Sequence, residues 1–167
     1  MKQVVVVGTG IMAVGIAAGF LATSHQVILL GRTQSRAKEQ EVEILALTKT
    51  MNPDWEVSGA KLVTGEIASW ADWSEVIWVI ETIKEDMQLK QELFASLDQR
   101  VPEHIPIGSN SSGFPISKIS AGLKTAHRMF NAHYFMPAHI VPLVEVVLGE
   151  KSDPVMGEQV CQLYRQA

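Results

Sequence analysis

Three side chains in the second half of the chain have the chemistry of an acid–base site. Ser112 lies in the run Ser109 to Gly113, just after a predicted strand that ends at Gly108. His133 lies near the end of the next predicted strand, and Glu145 lies early in the strand after it. A histidine oriented by a carboxylate, with a hydroxyl close by, can remove the proton of an alcohol as a general base. The pattern therefore predicts proton transfer by Ser112, His133 and Glu145.

The same three residue types occur in Ser-His-acid hydrolases, so hydrolysis is an alternative interpretation. The G-x-S-x-G turn that carries the nucleophile of α/β-hydrolases is absent, and the acid follows the histidine instead of preceding it. Another interpretation, from a different class, is a dinucleotide-binding module without catalysis. Labelling of Ser112 by a fluorophosphonate would favour the hydrolase, and nucleotide binding without turnover would favour the module.

A glycine-rich turn near the N-terminus predicts that the chain binds a dinucleotide. Its G-x-G-x-x-A pattern follows a predicted strand, Val4 to Val7, and opens a predicted helix, the context that makes the pattern specific. Gly8 permits the tight turn, and Gly10 lets the backbone approach a pyrophosphate at the positive end of the helix. Ala13, or Gly15 half a turn on, lets the helix pack closely on the strands. The predicted binding residues of this turn are Gly8, Thr9, Gly10, Ile11, Met12 and Ala13.

The end of the second predicted strand favours one form of the cofactor. An NAD site usually places an acidic residue there to hold the ribose 2′-hydroxyl, whereas an arginine accommodates the 2′-phosphate of NADP. This sequence has Gly31-Arg32-Thr33 at that point. A guanidinium can bind a phosphate through two hydrogen bonds, and no carboxylate is present to repel it. We therefore predict that Gly31, Arg32 and Thr33 contact the cofactor and favour NADP over NAD.

Strands and helices alternate along the chain, which predicts a Rossmann-type α/β fold: a doubly wound, mostly parallel sheet with helices on both faces. If the last strand returns antiparallel, Glu145 faces His133. The predicted strands are Val4 to Val7, Gln26 to Leu30, Lys61 to Thr64, Val76 to Ile80, Ile105 to Gly108, Met129 to Phe135 and Leu143 to Leu148. The predicted helices run from the glycine turn to Ala22, from Ser35 to about Met51, from Asp86 to Arg100, from a first-turn Pro115, and from Pro154 to Gln166.

Composition argues against several classes of partner. The net charge of −4 gives no basic surface for nucleic acid or anionic lipid, and no apolar run has the length of a membrane span. No Cys/His spacing or acidic cluster predicts a metal site, and the single cysteine cannot form an internal disulfide. Without a signal-peptide pattern, a cytoplasmic location and a small-molecule substrate are expected.

Several motifs, in order along nearly the whole chain, make the sequence resemble the L-3-hydroxyacyl-CoA dehydrogenase family. The resemblance implies an enzyme that couples hydride transfer to a nicotinamide with proton removal from a 3-hydroxyl group. It implies His133 as the base, Glu145 as the residue that orients it, and Ser112 as the partner of the substrate oxygen. It also implies that Glu85, Lys90 and Ser112 line the cofactor site. The motifs are Gly8 to Met12, Glu81 to Glu85, Lys90 to Phe94, Ser109 to Ser112, His133 to Pro137 and Leu143 to Val146.

The sequence also departs from the pattern of this family. Gly31-Arg32 replaces the acidic residue that the family uses to bind NAD. Met136, directly before Pro137, replaces an asparagine that in the family makes a hydrogen bond on the nicotinamide side of the cofactor site. The segment from Thr33 to Ile77 is shorter than in members that oxidise fatty acids. Pro142 to Glu145 also resembles relatives that act on gulonate and carnitine, so the expected substrate is an acyl-CoA or a small hydroxy acid.

The family carries a helical second domain that closes the substrate cleft and forms the dimer. Residues 1–167 correspond to the dinucleotide-binding domain alone, so we expect either the N-terminal part of a two-domain enzyme or a remnant with low turnover. The last helix is expected to leave an apolar surface that the helical domain would cover. Such surfaces tend to associate, which predicts a homo-oligomer.

Overall fold

Seven β-strands form one sheet in the computed structural model, which describes residues 2–167. The strand order is β3-β2-β1-β4-β5-β6-β7, and only β7 is antiparallel to its neighbour. This order reverses direction beside β1, as in doubly wound dinucleotide-binding sheets. The strands are β1 (Gln3–Val7), β2 (Gln26–Gly31), β3 (Leu62–Glu66), β4 (Val76–Glu81), β5 (Ile107–Ser109), β6 (Met129–Tyr134) and β7 (Val144–Leu148).

Helices cover both faces of the sheet, as predicted. Alternate residues of β1 belong to two separate cores, Val4 and Val6 to one and Val5 and Val7 to the other, because successive strand side chains point to opposite faces. The helices are α1 (Ile11–Ala22), α2 (Gln34–Lys38), α3 (Glu41–Met51), α4 (Met87–Arg100), α5 (Ile116–Ile119) and α6 (Pro154–Gln166), with short 3₁₀ turns at Trp55–Ser58 and Ala126–Arg128. None of the helices in the described residues is long and apolar enough to cross a bilayer.

The single helix predicted from Ser35 to Met51 is wrong, because the structure divides it into α2 and α3. The Gln40 N–H bonds to the Ala37 carbonyl three residues back, which tightens the turn between the two helices. Ala37 packs into the core beside β2, while Ile44 packs into the same core where α3 crosses α1. Two different packing partners therefore require two helix directions.

Pro115 precedes α5 as its N-cap, not as a residue of its first turn. Its ring fixes φ at −62°, and its carbonyl accepts the N–H of Ile119. β5 begins at Ile107, later than predicted, because Ile105 bonds back to Pro102 in a turn and Pro106 has no N–H to donate.

The apolar surface predicted on α6 is reduced to Val155, which is 67% exposed. Val160 is buried in the core, and Met156 and Leu163 pack against it. Large exposed apolar side chains instead occupy the β6–β7 connection and β7 itself: Met136, Ile140, Leu143, Val147 and Leu148. This connection and its strand, which lie next to His133 and Glu145, therefore carry a group of exposed apolar side chains that could take part in association.

Candidate active site

The glycine turn between β1 and α1 has a geometry that fits a pyrophosphate. Gly8 has φ +131°, a backbone conformation that residues other than glycine rarely adopt, and a Cβ at this position would overlap the Thr82 hydroxyl. Gly10 has ordinary backbone angles, and a Cβ there would meet nothing within 4 Å. Neither strain nor packing within the protein explains glycine at Gly10, so the space it leaves is available to a ligand.

The start of α1 leaves its backbone donors free. Gly10 is the N-cap and provides no side-chain oxygen for the first turn. The N–H groups of Ile11, Met12 and Ala13 have no acceptor within an α-helix at these positions, and they lie at the positive end of the helix dipole. Ala13 is fully buried in the core, as predicted. The turn thus presents amide donors and an open surface, the two requirements of a dinucleotide phosphate.

Gly15 does not serve the helix–strand contact that its position predicted. A Cβ at Gly15 would lie 3.1 Å from the Ala138 Cβ and 3.3 Å from the backbone nitrogen of His139. The glycine therefore permits the β6–β7 connection to lie against α1. This contact fixes the connection beside the glycine turn and close to His133.

The end of β2 has room for glycine only. A Cβ at Gly31 would lie 2.8 Å from the Thr33 carbonyl oxygen and 3.0 Å from the Thr9 methyl carbon. Thr33 caps α2, because its hydroxyl oxygen accepts the N–H of Arg36 at 3.3 Å. Arg32 is exposed, and its guanidinium makes no ion pair or hydrogen bond with residues 2–167. Of the three predicted residues, Arg32 is thus the one with a free charged group.

A buried ion pair lies beneath the carboxyl end of β4. The Lys90 Nζ donates to Glu81 Oε1 at 2.6 Å, and both side chains are inaccessible to solvent. Burial raises the pKa of Glu81, and the attraction of Lys90 offsets part of that rise. Lys90 thus supports the loop after β4 from below, where its Nζ also donates to the Ile83 carbonyl at 3.2 Å, and its contact with the cofactor stays a prediction.

Glu85 is half-exposed above this pair and joins two loops. Its carboxylate accepts from the Ser111 hydroxyl and from the Gly113 N–H, and it lies 3.3 Å from the Lys90 Nζ. Partial burial acts to raise the pKa of Glu85, but the hydrogen bond from Ser111 and the charge of Lys90 outweigh it and lower the pKa. Glu85 is therefore an ionised surface group that fixes the loop after β5 against the loop after β4.

Ser112 is the free hydroxyl of the predicted serine run. Ser109 donates to Glu81 at 2.6 Å, and Ser111 donates to Glu85, so both of these hydroxyls are used by the protein. Ser112 is exposed and makes no side-chain hydrogen bond with residues 2–167. Its hydroxyl is thus unused by the protein, and its contact with a ligand stays a prediction.

His133 and Glu145 are directly opposite each other in the antiparallel pair β6–β7, as predicted. Nδ1 of His133 lies 3.1 Å from Oε2 of Glu145, and the imidazole is about a quarter exposed, at 26%. Nε2 makes no hydrogen bond within the described residues and is left to accept a proton. Because no bond joins Ser112 to His133 either, the nucleophile–base pair of a hydrolase is not formed.

Glu81, Ser109 and Ser111 were not predicted as site residues, and they support the site without facing it. A signal was present: Lys90 lies four residues before Phe94, on the buried face of α4. A buried ammonium requires a partner, and Glu81, which ends a strand of buried apolar residues, is the nearest acid in sequence with the same burial. In the described part of the chain, no group of acidic, histidine or cysteine residues could hold a metal ion.

These features together define a dinucleotide-binding domain of Rossmann type with an acid–base pair at the cofactor edge of its sheet. Comparison with known proteins gives the family. The family profile described as 3-hydroxyacyl-CoA dehydrogenase, NAD binding domain, matches residues 3–167. The chain belongs to the 3-hydroxyacyl-CoA dehydrogenase family, as its NAD binding domain.

Individual relatives agree with this family. The chain is 31% identical over 158 residues to the mitochondrial hydroxyacyl-coenzyme A dehydrogenase of Rattus norvegicus, covering 88% of this chain and 50% of that protein. It is 32% identical over 162 residues to the glyoxysomal fatty acid beta-oxidation multifunctional protein MFP-a of Brassica napus, covering 88% of this chain and 21% of that protein. The chain thus spans between about a fifth and a half of these curated relatives.

Solved structures show the same fold. The (S)-3-hydroxybutyryl-CoA dehydrogenase of Ralstonia eutropha superposes with a TM-score of 0.88 at 25% identity, covering 99% of this chain and 60% of that one. The 3-hydroxybutyryl-CoA dehydrogenase of Escherichia coli superposes with a TM-score of 0.83 at 27% identity, covering 99% of this chain and 36% of that one. The fold prediction is therefore confirmed.

Proposed function

We propose that residues 1–167 are the cofactor-binding and proton-transferring domain of an NAD(P)-dependent dehydrogenase. Its substrate would be the 3-hydroxyl or 3-keto group of an acyl-CoA or of a small hydroxy acid. The observation that carries the proposal is the His133–Glu145 pair, which lies on the same sheet edge as the glycine turn and Ser112. The rat relative and the two solved structures named above are dehydrogenases of hydroxyacyl-CoA substrates.

The arrangement supports a simple division of roles. When bound, the nicotinamide supplies the acceptor for the hydride that leaves the substrate carbon. Nε2 of His133 takes the proton of the 3-hydroxyl, so that the C–O single bond becomes a carbonyl. Glu145 holds the Nδ1 side of the ring and stabilises the imidazolium that forms. Ser112 donates a hydrogen bond to the substrate oxygen.

Substitution of the base tests this proposal. In His133→Gln, single-turnover oxidation of 3-hydroxybutyryl-CoA at high chain concentration should slow by about 10²–10⁴-fold, the usual cost of losing a general base. Binding of NADH, followed by its fluorescence, should stay within about twofold, because the glycine turn is untouched. His139→Gln is the matched control: this histidine lies in the β6–β7 connection against α1 and should keep the parent rate. A parent-like rate in His133→Gln would refute the assignment.

We further propose that the chain prefers NADP to NAD, although the family profile describes NAD binding. The support is the free guanidinium of Arg32 and the lack of space for any side chain at Gly31, where an NAD site would carry its carboxylate.

We also propose that the chain forms a homo-oligomer. The support is the group of exposed apolar side chains in the β6–β7 connection.

A further inference from the structure

The three asparagines of the chain differ in how they use their side-chain amides. Asn52 and Asn131 each use both ends within the protein: the oxygen accepts a backbone N–H, and the NH₂ group donates to a backbone carbonyl. Asn110 uses the oxygen alone. Its NH₂ group makes no hydrogen bond with residues 2–167, which makes it the exception among three otherwise similar groups.

The direction of the Asn110 amide is fixed by the backbone of β6. Tyr134 N–H donates to Oδ1 of Asn110 at 3.0 Å, and since a backbone N–H can only donate, the oxygen must face it. The backbone N–H of Asn110 donates to the Glu81 carbonyl at 2.8 Å, which ties the residue to β4. No buried side-chain nitrogen or oxygen in the described residues lacks a partner, so the unpaired Nδ2 is in contact with solvent.

Asn110 directly follows β5, between the buried Ser109 and the exposed Ser112, at the edge where the dinucleotide binds. The adenosine half of such a cofactor lies toward β2, so the nicotinamide half extends the other way, over the ends of β4 and β5. With strands about 4.8 Å apart, the end of β5 lies two strand spacings, roughly 10 Å, from the glycine turn.

We infer that Nδ2 of Asn110 donates a hydrogen bond to the carboxamide oxygen of the bound nicotinamide. This inference rests on the proposed function, because it needs a dinucleotide across the glycine turn. A donor that the backbone of β6 holds in one direction would set the rotation of the carboxamide and of the ring conjugated to it. The same Tyr134 N–H contact ties this donor to the strand that carries His133, so the ring and the base are positioned by one element.

Asn110→Asp tests the inference with little change in shape. The variant keeps an oxygen for Tyr134 N–H and replaces the NH₂ donor by a second oxygen that cannot donate. We expect the dissociation constant of NADH to rise about tenfold, because the hydrogen bond is lost and the new carboxylate oxygen faces the carboxamide oxygen of the nicotinamide. Asn110→Ser, which is neutral and too short to reach the ring, should raise it about fivefold. ADP-ribose, which lacks the nicotinamide, should bind both variants within about twofold of the parent chain.

Asn131→Asp is the matched control for folding. Its NH₂ group donates to the Phe114 carbonyl, so this variant should lower the thermal unfolding temperature by several degrees, whereas Asn110→Asp should not. Unchanged NADH binding in both Asn110 variants would overturn the inference, and so would an equal loss of NADH and ADP-ribose. Failure of the unmodified chain to bind ADP-ribose would overturn the proposed function together with the inference, and is a distinct result.

Discussion

At the scale of single residues, we expect the charge of Arg32 to set the preference between NADP and NAD. We predict that NADPH binds at least about tenfold more tightly than NADH, because an arginine–phosphate contact contributes roughly 1–3 kcal/mol. Arg32→Ala should remove this preference while leaving NADH binding unchanged. Titration of both cofactors at low and moderate salt measures the difference.

Arg36 offers the matched control for this prediction. It is also exposed and lies in the first turn of α2, where its N–H donates to the Thr33 hydroxyl. Arg36→Ala should retain most of the preference for NADPH. Equal affinities for the two cofactors in the unmodified chain would show that Arg32 faces solvent when the cofactor is bound.

At the scale of elements, the Glu81–Lys90 pair joins the end of β4 to helix α4. Lys90→Met would leave a buried carboxylate without its partner, which costs about 3–5 kcal/mol of unfolding free energy. Burial already raises the pKa of Glu81, and removal of the ammonium should raise it further. A carboxyl group with a raised pKa in the folded state favours folding at low pH and loses that contribution as pH rises through the folded pKa.

The Lys90→Met variant should therefore lose more stability above the pH at which the buried Glu81 titrates than below it, measured by urea unfolding at one pH value on each side. The double variant Lys90→Met, Glu81→Gln removes the uncompensated charge and should recover part of the loss. It should also show little dependence on pH in this range. A loss in Lys90→Met that is the same at both pH values, with no recovery in the double variant, would contradict a buried charge as the cause.

At the scale of the whole molecule, cofactor binding and efficient turnover should separate. The glycine turn, Ser112 and the His133–Glu145 pair all lie on the strand ends of this one sheet, so the 167-residue chain should bind the dinucleotide. Ser112 and Glu145 are exposed, however, and nothing in the described residues encloses a substrate over them. Substrate positioning can contribute roughly 7–11 kcal/mol to a barrier, so steady-state reduction of acetoacetyl-CoA by this chain should be very slow. Rapid turnover would show that these strands hold a complete substrate site.

The chain should also associate at high concentration. Ile140 and Leu143, 65% and 52% exposed, lie together in the β6–β7 connection. Replacing both by Ser should shift sedimentation profiles toward the monomer. Val57→Ser is the control, since Val57 is 87% exposed and does not line the cavity that Ile140 and Leu143 border. A monomer at millimolar concentration, or an equal effect of the control, would argue against this surface.

Local sequence patterns alone determined the fold class of this protein and the position of its cofactor-binding turn. The β-branched run of β1, the glycines after it and the alternation of strands with helices were enough to predict the sheet class and the cofactor turn. His133 and Glu145 were predicted to face each other because an antiparallel return brings their strands together, and the register places them opposite. Such features depend on residues close in sequence or on the direction of a single strand.

Tertiary structure alone decided which polar groups face the site and which support it. Lys90 is buried against Glu81, a partner that was not predicted from the sequence. Gly15 makes room for the β6–β7 connection and not for a strand, and the helix predicted from Ser35 to Met51 is two helices. Each outcome depends on atoms that are distant in sequence and meet only when the sheet assembles. Burial, and with it the cost of an unpaired charge or an added Cβ, is a property of that assembly and has no local signature in the chain.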